Sequence, residues 1–194
     1  GQLFYVMPLA DGAKAVAPTS TDWQPLTLGL LIRNRRQADT WFSSREIINW
    51  LVPVIRAADA INRAGLVHRD IKPDNILTSG MHAMVTDFGV AKALSAAIPM
   101  AGGTSTGMAI GTPAYMAPEQ LAADPAADHR VDIYAVGLLA YELVTGHSPF
   151  SGSSPQATMA AQLTETPKPP HQFANIPEGL SSLIMRCLEK DSAK

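Results

Sequence analysis

The chain has 194 residues, long enough to close a hydrophobic core, and 46% of them are hydrophobic, which excludes wholesale disorder. Fifteen Lys and Arg against 17 Asp and Glu leave a net charge of −2, so there is neither the broad basic footprint of a nucleic-acid binder nor a polybasic membrane anchor. Charged residues make up only 16%, below the roughly 25% usual in soluble domains, which suits an Ala-rich sequence or a domain with one face covered by further protein.

Leu3 to Met7 is an apolar run that reads as a short buried strand, closed by Pro8. It begins almost at the first residue with no basic leader before it, so the chain is expected to enter a domain in mid-strand. Residues 13–25, with Pro18 and Pro25, read as loop, and residues 26–37 as a short helix with Arg33, Arg35 and Arg36 on its outer side. Ser43 and Glu46 have capping-box spacing and open a long helical pattern through Ile47, Leu51, Ile55, Ala58 and Ile61 that ends at Gly65. Pro53 lies inside it, removes one backbone bond at a cost of about 3 kcal/mol or more, and predicts a kink near residues 49–53. Short strands are expected at 66–67, 76–78 and 83–85, and a mobile loop rich in Gly, Ala, Ser and Thr at 90–111.

The longest apolar stretch, Val131 to Val144, is interrupted by Asp132 and Glu142, too short and too charged to span a bilayer. It predicts a helix over 131–145 that is apolar nearly all round and lies in the middle of the core. A loop at 149–155, a short helix at 158–164, an extended solvent-facing TPKPP at 166–170 and an amphipathic helix from Ile176 to Leu188 complete the chain. Cys187 is the one cysteine, so no intrachain disulfide forms and a reducing, cytoplasmic setting is the default. It shares an apolar helical face with Leu183, Ile184 and Leu188 and reads as a buried packing residue. His82, His129, His147 and His171 have no metal-ligand spacing and read as surface or loop residues.

Chemistry concentrates in four segments: HRDIKPDN from His68 to Asn75, DFG from Asp87 to Gly89 beginning twelve residues after Asn75, GTPAYMAPE at 111–119, and DHRVDIYAVG at 128–137. In this order and spacing they resemble the eukaryotic-type protein serine/threonine kinases, and most nearly their bacterial members. Ile71, where the family usually has Leu, is a conservative departure. The resemblance covers nearly the whole chain but only the second, larger half of the family's domain. It implies a mostly α (α+β) fold: a kinase C-terminal lobe with a hinge strand and small β-hairpins, residues 1–194 forming a partial kinase domain without the N-terminal lobe.

Phosphoryl transfer proceeds through a loose transition state with charge on the phosphoryl oxygens, so the protein contributes position and electrostatics. By resemblance, Asp70 accepts the proton of the substrate hydroxyl and Lys72 stabilises the transferred group, while Asn75 and Asp87 offer hard oxygens to Mg²⁺. Gly89 frees the backbone to aim Asp87, and Phe88 packs beneath it against His68. Asp132 is either a simple charge at a helix start or, as the resemblance implies, a clamp on the catalytic-loop backbone from below. The D-x-K-P-x-N form and Thr112, which would reach Asp70 and Lys72, imply Ser/Thr specificity. For ATP, Met7 aligns as gatekeeper, the Pro8 carbonyl and Ala10 N–H face the adenine edge, and Leu77 floors the ring. Arg69 before Asp70 implies regulation through the activation loop, with Thr104, Ser105 and Thr106 as candidate phosphosites.

The family's glycine-rich loop, β3 lysine and partner glutamate are not found: Gly12 and Gly29 lack a G-x-G-x-x-G, and Lys14 follows the hinge. The family's arginine beyond a segment like Lys190-Asp191, which pairs with the glutamate at Glu119, also lies outside the sequence, so Glu119 is expected to be unpaired or served by another cation such as Arg186. The implied reading is a kinase acting on protein Ser/Thr with ATP and Mg²⁺, this chain alone having very low activity and its parent supplying the other lobe as partner. No nucleic-acid partner and no membrane segment are expected in this chain, and whether the parent is membrane-anchored stays open. The alternatives are a pseudokinase-like scaffold, against which the presence of Asp70, Lys72, Asn75 and Asp87 counts, and a small-molecule phosphotransferase, against which GTPAYMAPE counts.

Overall fold

The computed structural model describes residue 12 and residues 24–80, 82–87 and 113–191. Helix α1 (Leu28–Gln37) starts where Thr27 Oγ1 accepts the Leu30 N–H at 3.1 Å, and it ends on Arg35 and Arg36, whose charges suit the negative end of the helix dipole. Helix α2 (Ser44–Arg63) carries the expected capping box: the Ser43 N–H donates to Glu46 Oε2 at 2.7 Å and the Glu46 N–H to Ser43 Oγ at 3.3 Å. The helix runs through Pro53 as one element, although the proline nitrogen has no hydrogen to give the Asn49 carbonyl.

Gly65, at φ 74°, turns the chain out of α2. The expected strand at 66–67 does not form, because the Leu66 N–H closes the helix end on the Ile61 carbonyl instead of pairing with a strand. A 3₁₀ turn at Pro73–Asn75 leads into β1 (Ile76–Ser79), which pairs antiparallel with β2 (His82–Val85) in the register Ile76↔Val85. This hairpin is tied to the start of α1 by the bridge between Thr27 and Leu77. The hinge run, Leu3 to Met7, lies outside the described residues, as does all of 90–111.

The second half is helical: α3 (Pro118–Leu121), α4 (Arg130–Thr145), α5 (Pro155–Thr164) and α6 (Glu178–Cys187). Helix α4 separates two buried clusters. Its stripe Ala135, Leu139 and Leu143 packs with Leu28, Ile32, Trp50, Val54 and Ile76, while Val131, Tyr134, Leu138 and Tyr141 pack with Phe150, Ile184 and Leu188. The spacing of three and four puts each set on its own side, which is why the sequence is apolar all round here. Each fully buried Leu or Ile contributes about 1.5–3 kcal/mol. At Gly137 any side chain would collide with Cys187, an ideal Cβ lying 2.6 Å from that residue's own Cβ, so α4 and α6 meet at a glycine. Cys187 is half-buried, short of the full burial expected, with its Cβ set against Gly137 of α4. TPKPP also departs from expectation: Pro167 and Pro170 are buried, and the Tyr141 hydroxyl donates to the Lys168 carbonyl at 2.9 Å, drawing the segment onto the core. Among the described residues no helix is long and apolar enough to cross a membrane.

Candidate active site

The loop from His68 to Asn75 lies between α2 and the hairpin, over the first turn of α4. Asp132, buried at 3% exposure, accepts the His68 N–H at 2.7 Å and the Arg69 N–H at 2.8 Å, one on each carboxylate oxygen. Arg69 between these bonds takes φ 63°, a left-handed conformation uncommon for a residue with a side chain. His68 is fully buried; its Nδ1 accepts the Asp70 N–H at 3.3 Å and its Nε2–H donates to the Thr86 carbonyl at 3.1 Å. Those two partners fix the proton on Nε2, because the Thr86 carbonyl can only accept. One imidazole thus joins the loop to the end of β2.

Four polar groups converge there. Asp70 Oδ2 accepts from Lys72 Nζ at 3.0 Å and from Asn75 Nδ2 at 2.9 Å, and Asn75 Nδ2 also reaches the Asp70 carbonyl at 2.9 Å. Both amide hydrogens of Asn75 are therefore committed to oxygen acceptors, which fixes the amide orientation and turns Oδ1 away, where it accepts no hydrogen bond among the described residues. The Asn75 carbonyl accepts the Thr86 N–H at 2.9 Å and the Thr86 hydroxyl at 3.2 Å, which brings Asp87 beside Asn75. Asp87 takes φ 57°, and its exposed carboxylate makes no ion pair or hydrogen bond among the described residues. Two uncommitted hard oxygen donors on fixed backbone suit a cation such as Mg²⁺, which takes one or two protein groups and keeps several waters. Gly89 and Phe88, read from the sequence as aiming and supporting Asp87, lie outside the described residues.

Leu77 lies half-buried in β1 opposite Met84. Met7, Pro8, Ala10, Thr104, Ser105, Thr106 and Thr112 lie outside the described residues. Glu119 is half-buried and faces Tyr134, whose hydroxyl is pushed up, first by burial and then by the Glu119 charge. Glu119 and Arg186 line one cavity of about 330 Å³ without closing to an ion pair, and among the described residues no other cation pairs with Glu119.

A second polar cluster was not anticipated as a site. Glu142, at 5% exposure near the far end of α4, accepts the Tyr115 hydroxyl on one oxygen and Arg36 Nη2 at 2.7 Å on the other. Burial first, and then the Glu142 charge, holds the Tyr115 phenol well above its ordinary range. Beside it Arg33 Nη1 donates to Asp74 Oδ1 at 2.9 Å, so two arginines of α1 reach two carboxylates, one on α4 and one in the loop at 68–75. The signal in the sequence was the second charge interrupting an apolar helix; nothing local marked Arg36 as its partner.

Asp132 holds a loop bearing Asp70, Lys72 and Asn75, and Thr86, the residue before Asp87, is bonded to that loop, on a mostly helical scaffold with a two-stranded sheet among the described residues. The chain belongs to the protein kinase family: residues 26–194 match the protein kinase domain. Its relatives include the probable serine/threonine-protein kinase PknB of Corynebacterium glutamicum, 44% identical over 73% of this chain and 22% of that protein. The serine/threonine-protein kinase PknL of Mycobacterium tuberculosis is 50% identical over 56% of this chain and 26% of its own length. The serine/threonine-protein kinase pkn3 of Myxococcus xanthus is 34% identical over 100% of this chain and 34% of its own length. The chain thus matches about a fifth to a third of the length of these relatives.

Proposed function

We propose that the full-length protein transfers the γ-phosphoryl group of ATP to serine or threonine hydroxyls of proteins, with residues 68–87 as its catalytic centre. The observation that supports this most is the convergence of Asp70, Lys72, Asn75 and Asp87 through bonds of 2.9–3.2 Å on a loop held from below by Asp132. In the reaction the bond from the γ-phosphorus to the ADP oxygen breaks as the bond to the substrate oxygen forms. Asp70 takes the hydroxyl proton, and Lys72, paired with it, faces the charge of the transferred group. Asn75 Oδ1 and the Asp87 carboxylate hold Mg²⁺, which when bound neutralises the phosphate oxygens. Leu77, with Met7, Pro8 and Ala10, receives the adenine, Thr112 orients the acceptor, and Thr104, Ser105 or Thr106 takes a regulatory phosphate near Arg69. With one cysteine, the reading places this domain in a reducing, cytoplasmic setting.

The 194 residues contain no glycine-rich phosphate loop, so the test belongs to the full-length protein. With ATP, Mg²⁺ and a Ser/Thr peptide, Asp70→Asn is expected to lower the rate by about 10²–10⁴-fold while leaving the thermal midpoint nearly unchanged. A wild-type protein that transfers no phosphate, or an Asp70→Asn variant as fast as wild type, would refute the reading.

A further inference from the structure

Arg69 stands at φ 63° immediately before Asp70, and both polar groups of its backbone are engaged. Its N–H donates to Asp132 Oδ1 at 2.8 Å, and its carbonyl accepts the side-chain amide of Gln120 at 3.1 Å. Gln120 directly follows GTPAYMAPE and lies on α3. We infer that Gln120 is a positioning residue for phosphoryl transfer: it fixes the peptide unit that leads into Asp70 and ties that unit to the segment at 113–121. This rests on the kinase reading above and adds to it a residue that touches neither substrate nor nucleotide.

Both ends of the Gln120 amide are used. Oε1 accepts the Ala117 N–H at 3.1 Å while Nε2 donates to the Arg69 carbonyl. An N–H only donates and a carbonyl only accepts, so the two partners set the orientation of the amide. The first bond is local, a side chain in the first turn of α3 reaching back to the fully buried residue that caps it. The second crosses to the loop at 68–75. Capping alone requires only the acceptor, and a glutamate supplies that equally well. What glutamine adds is the donor, and the donor goes to Arg69.

The Arg69 carbonyl and the Asp70 N–H belong to one planar peptide unit. Gln120 holds its oxygen, and His68 Nδ1 accepts its hydrogen at 3.3 Å, so the plane cannot turn without losing a bond. Turning it changes the φ of Asp70 and swings the carboxylate away from Lys72 Nζ and Asn75 Nδ2, which lie 3.0 and 2.9 Å from Oδ2. The left-handed conformation of Arg69 is uncommon for a residue with a side chain, so the loop has a strained state to relax from once a holder is lost. Arg69 is exposed, and water can take the place of the amide donor without fixing the direction of the carbonyl. Loss of the bond therefore slows the reaction without abolishing it.

The test uses two variants of the full-length protein with ATP, Mg²⁺ and a Ser/Thr peptide. Gln120→Glu keeps the acceptor for Ala117 and loses the donor for Arg69; Gln120→Met, of similar length, loses both. Both are expected to lower kcat about tenfold, with KM for ATP and for peptide within about twofold of wild type. Only Gln120→Met should lower the thermal midpoint. Hydrogen exchange read by mass spectrometry should quicken in the loop at 68–75 in both variants, and in α3 in Gln120→Met alone. A Gln120→Glu variant with wild-type kcat, or with loop exchange unchanged, would overturn this inference alone, because Gln120 would then be a cap and nothing more. Failure of the wild-type protein to phosphorylate any peptide would overturn the kinase reading and this inference with it.

Discussion

Asp132 and Glu142 lie toward opposite ends of α4, both buried, and they are held in opposite ways. Asp132 receives two backbone N–H groups and no cation among the described residues; Glu142 receives an arginine and a phenol, both side chains. A carboxylate that binds backbone shapes a loop, and here it secures the stretch in which Arg69 takes φ 63°. A carboxylate that binds side chains joins elements, and here it fastens α1 and the segment at 113–115 to α4. The first arrangement leaves buried donors stranded when it is removed. The second leaves Arg36 free to rehydrate, since that residue already stands partly in water.

The sharpest way to break this contrast is to delete Asp132. In Asp132→Ala the N–H groups of His68 and Arg69 lose their acceptors, each at about 1–3 kcal/mol, so a loss of about 3–5 kcal/mol in urea unfolding is expected. Asp132→Asn keeps one good acceptor and should lose roughly half as much. If Asp132→Ala unfolded within about 1 kcal/mol of wild type, the loop would not depend on the carboxylate and the contrast would collapse.

Removing the charge at the other end should matter less. Glu142→Gln retains an acceptor for Tyr115 and releases Arg36 toward solvent, so about 1–2 kcal/mol is expected by the same measurement. The change should also lower the Tyr115 phenol toward its ordinary range, because the Glu142 charge is the second cause, after burial, that holds it up. An effect as large as that of Asp132→Ala would show that the two ends carry equal weight.

Much of this was legible before the structure, and unevenly. The cap of α2, the turn at Gly65 and the apolar α4 were readable because local rules govern them: a Ser with a Glu three residues on, a left-handed glycine, a continuous apolar period. The candidate site residues Asp70, Lys72 and Asn75, which the structure brings together, were readable as a group because their spacing within HRDIKPDN is short. The pairing of Arg36 with Glu142 was not, since it depends on how two distant helices pack and leaves no trace in the local pattern of either. The burial of Pro167 and Pro170 was missed for a related reason. A proline-rich stretch signals extended backbone but says nothing about which surface it lies on, and the Tyr141 hydroxyl that draws it inward is remote in sequence. The strand expected at 66–67 failed because an apolar pair does not reveal whether its N–H groups are already committed to a helix end.

A third, half-buried charge sharpens the comparison with the opposite sign. Lys190, half-buried, donates to the Tyr134 hydroxyl at 3.1 Å and to the Gln162 carbonyl, and lies 3.9 Å from the Phe150 ring centre. Like Asp132 it is held chiefly by neutral groups, but here burial outweighs the nearby Glu165 charge and brings its pKa down to about 8. In the unfolded chain that pKa is about 10.4. Below about pH 8 both states carry the proton and the full cost of burying the charge stands; between about 8 and 10.4 the unfolded state binds more protons, so stability rises with pH. Lys190→Met removes this dependence. From pH 7 to 9.5, below the range of the tyrosines, wild type should gain on the variant by no more than about 1 kcal/mol, because solvent screens a half-buried amine. A gap between the two proteins that stayed flat or moved the other way would mean that the ring and the two oxygens compensate Lys190 as fully as the backbone compensates Asp132.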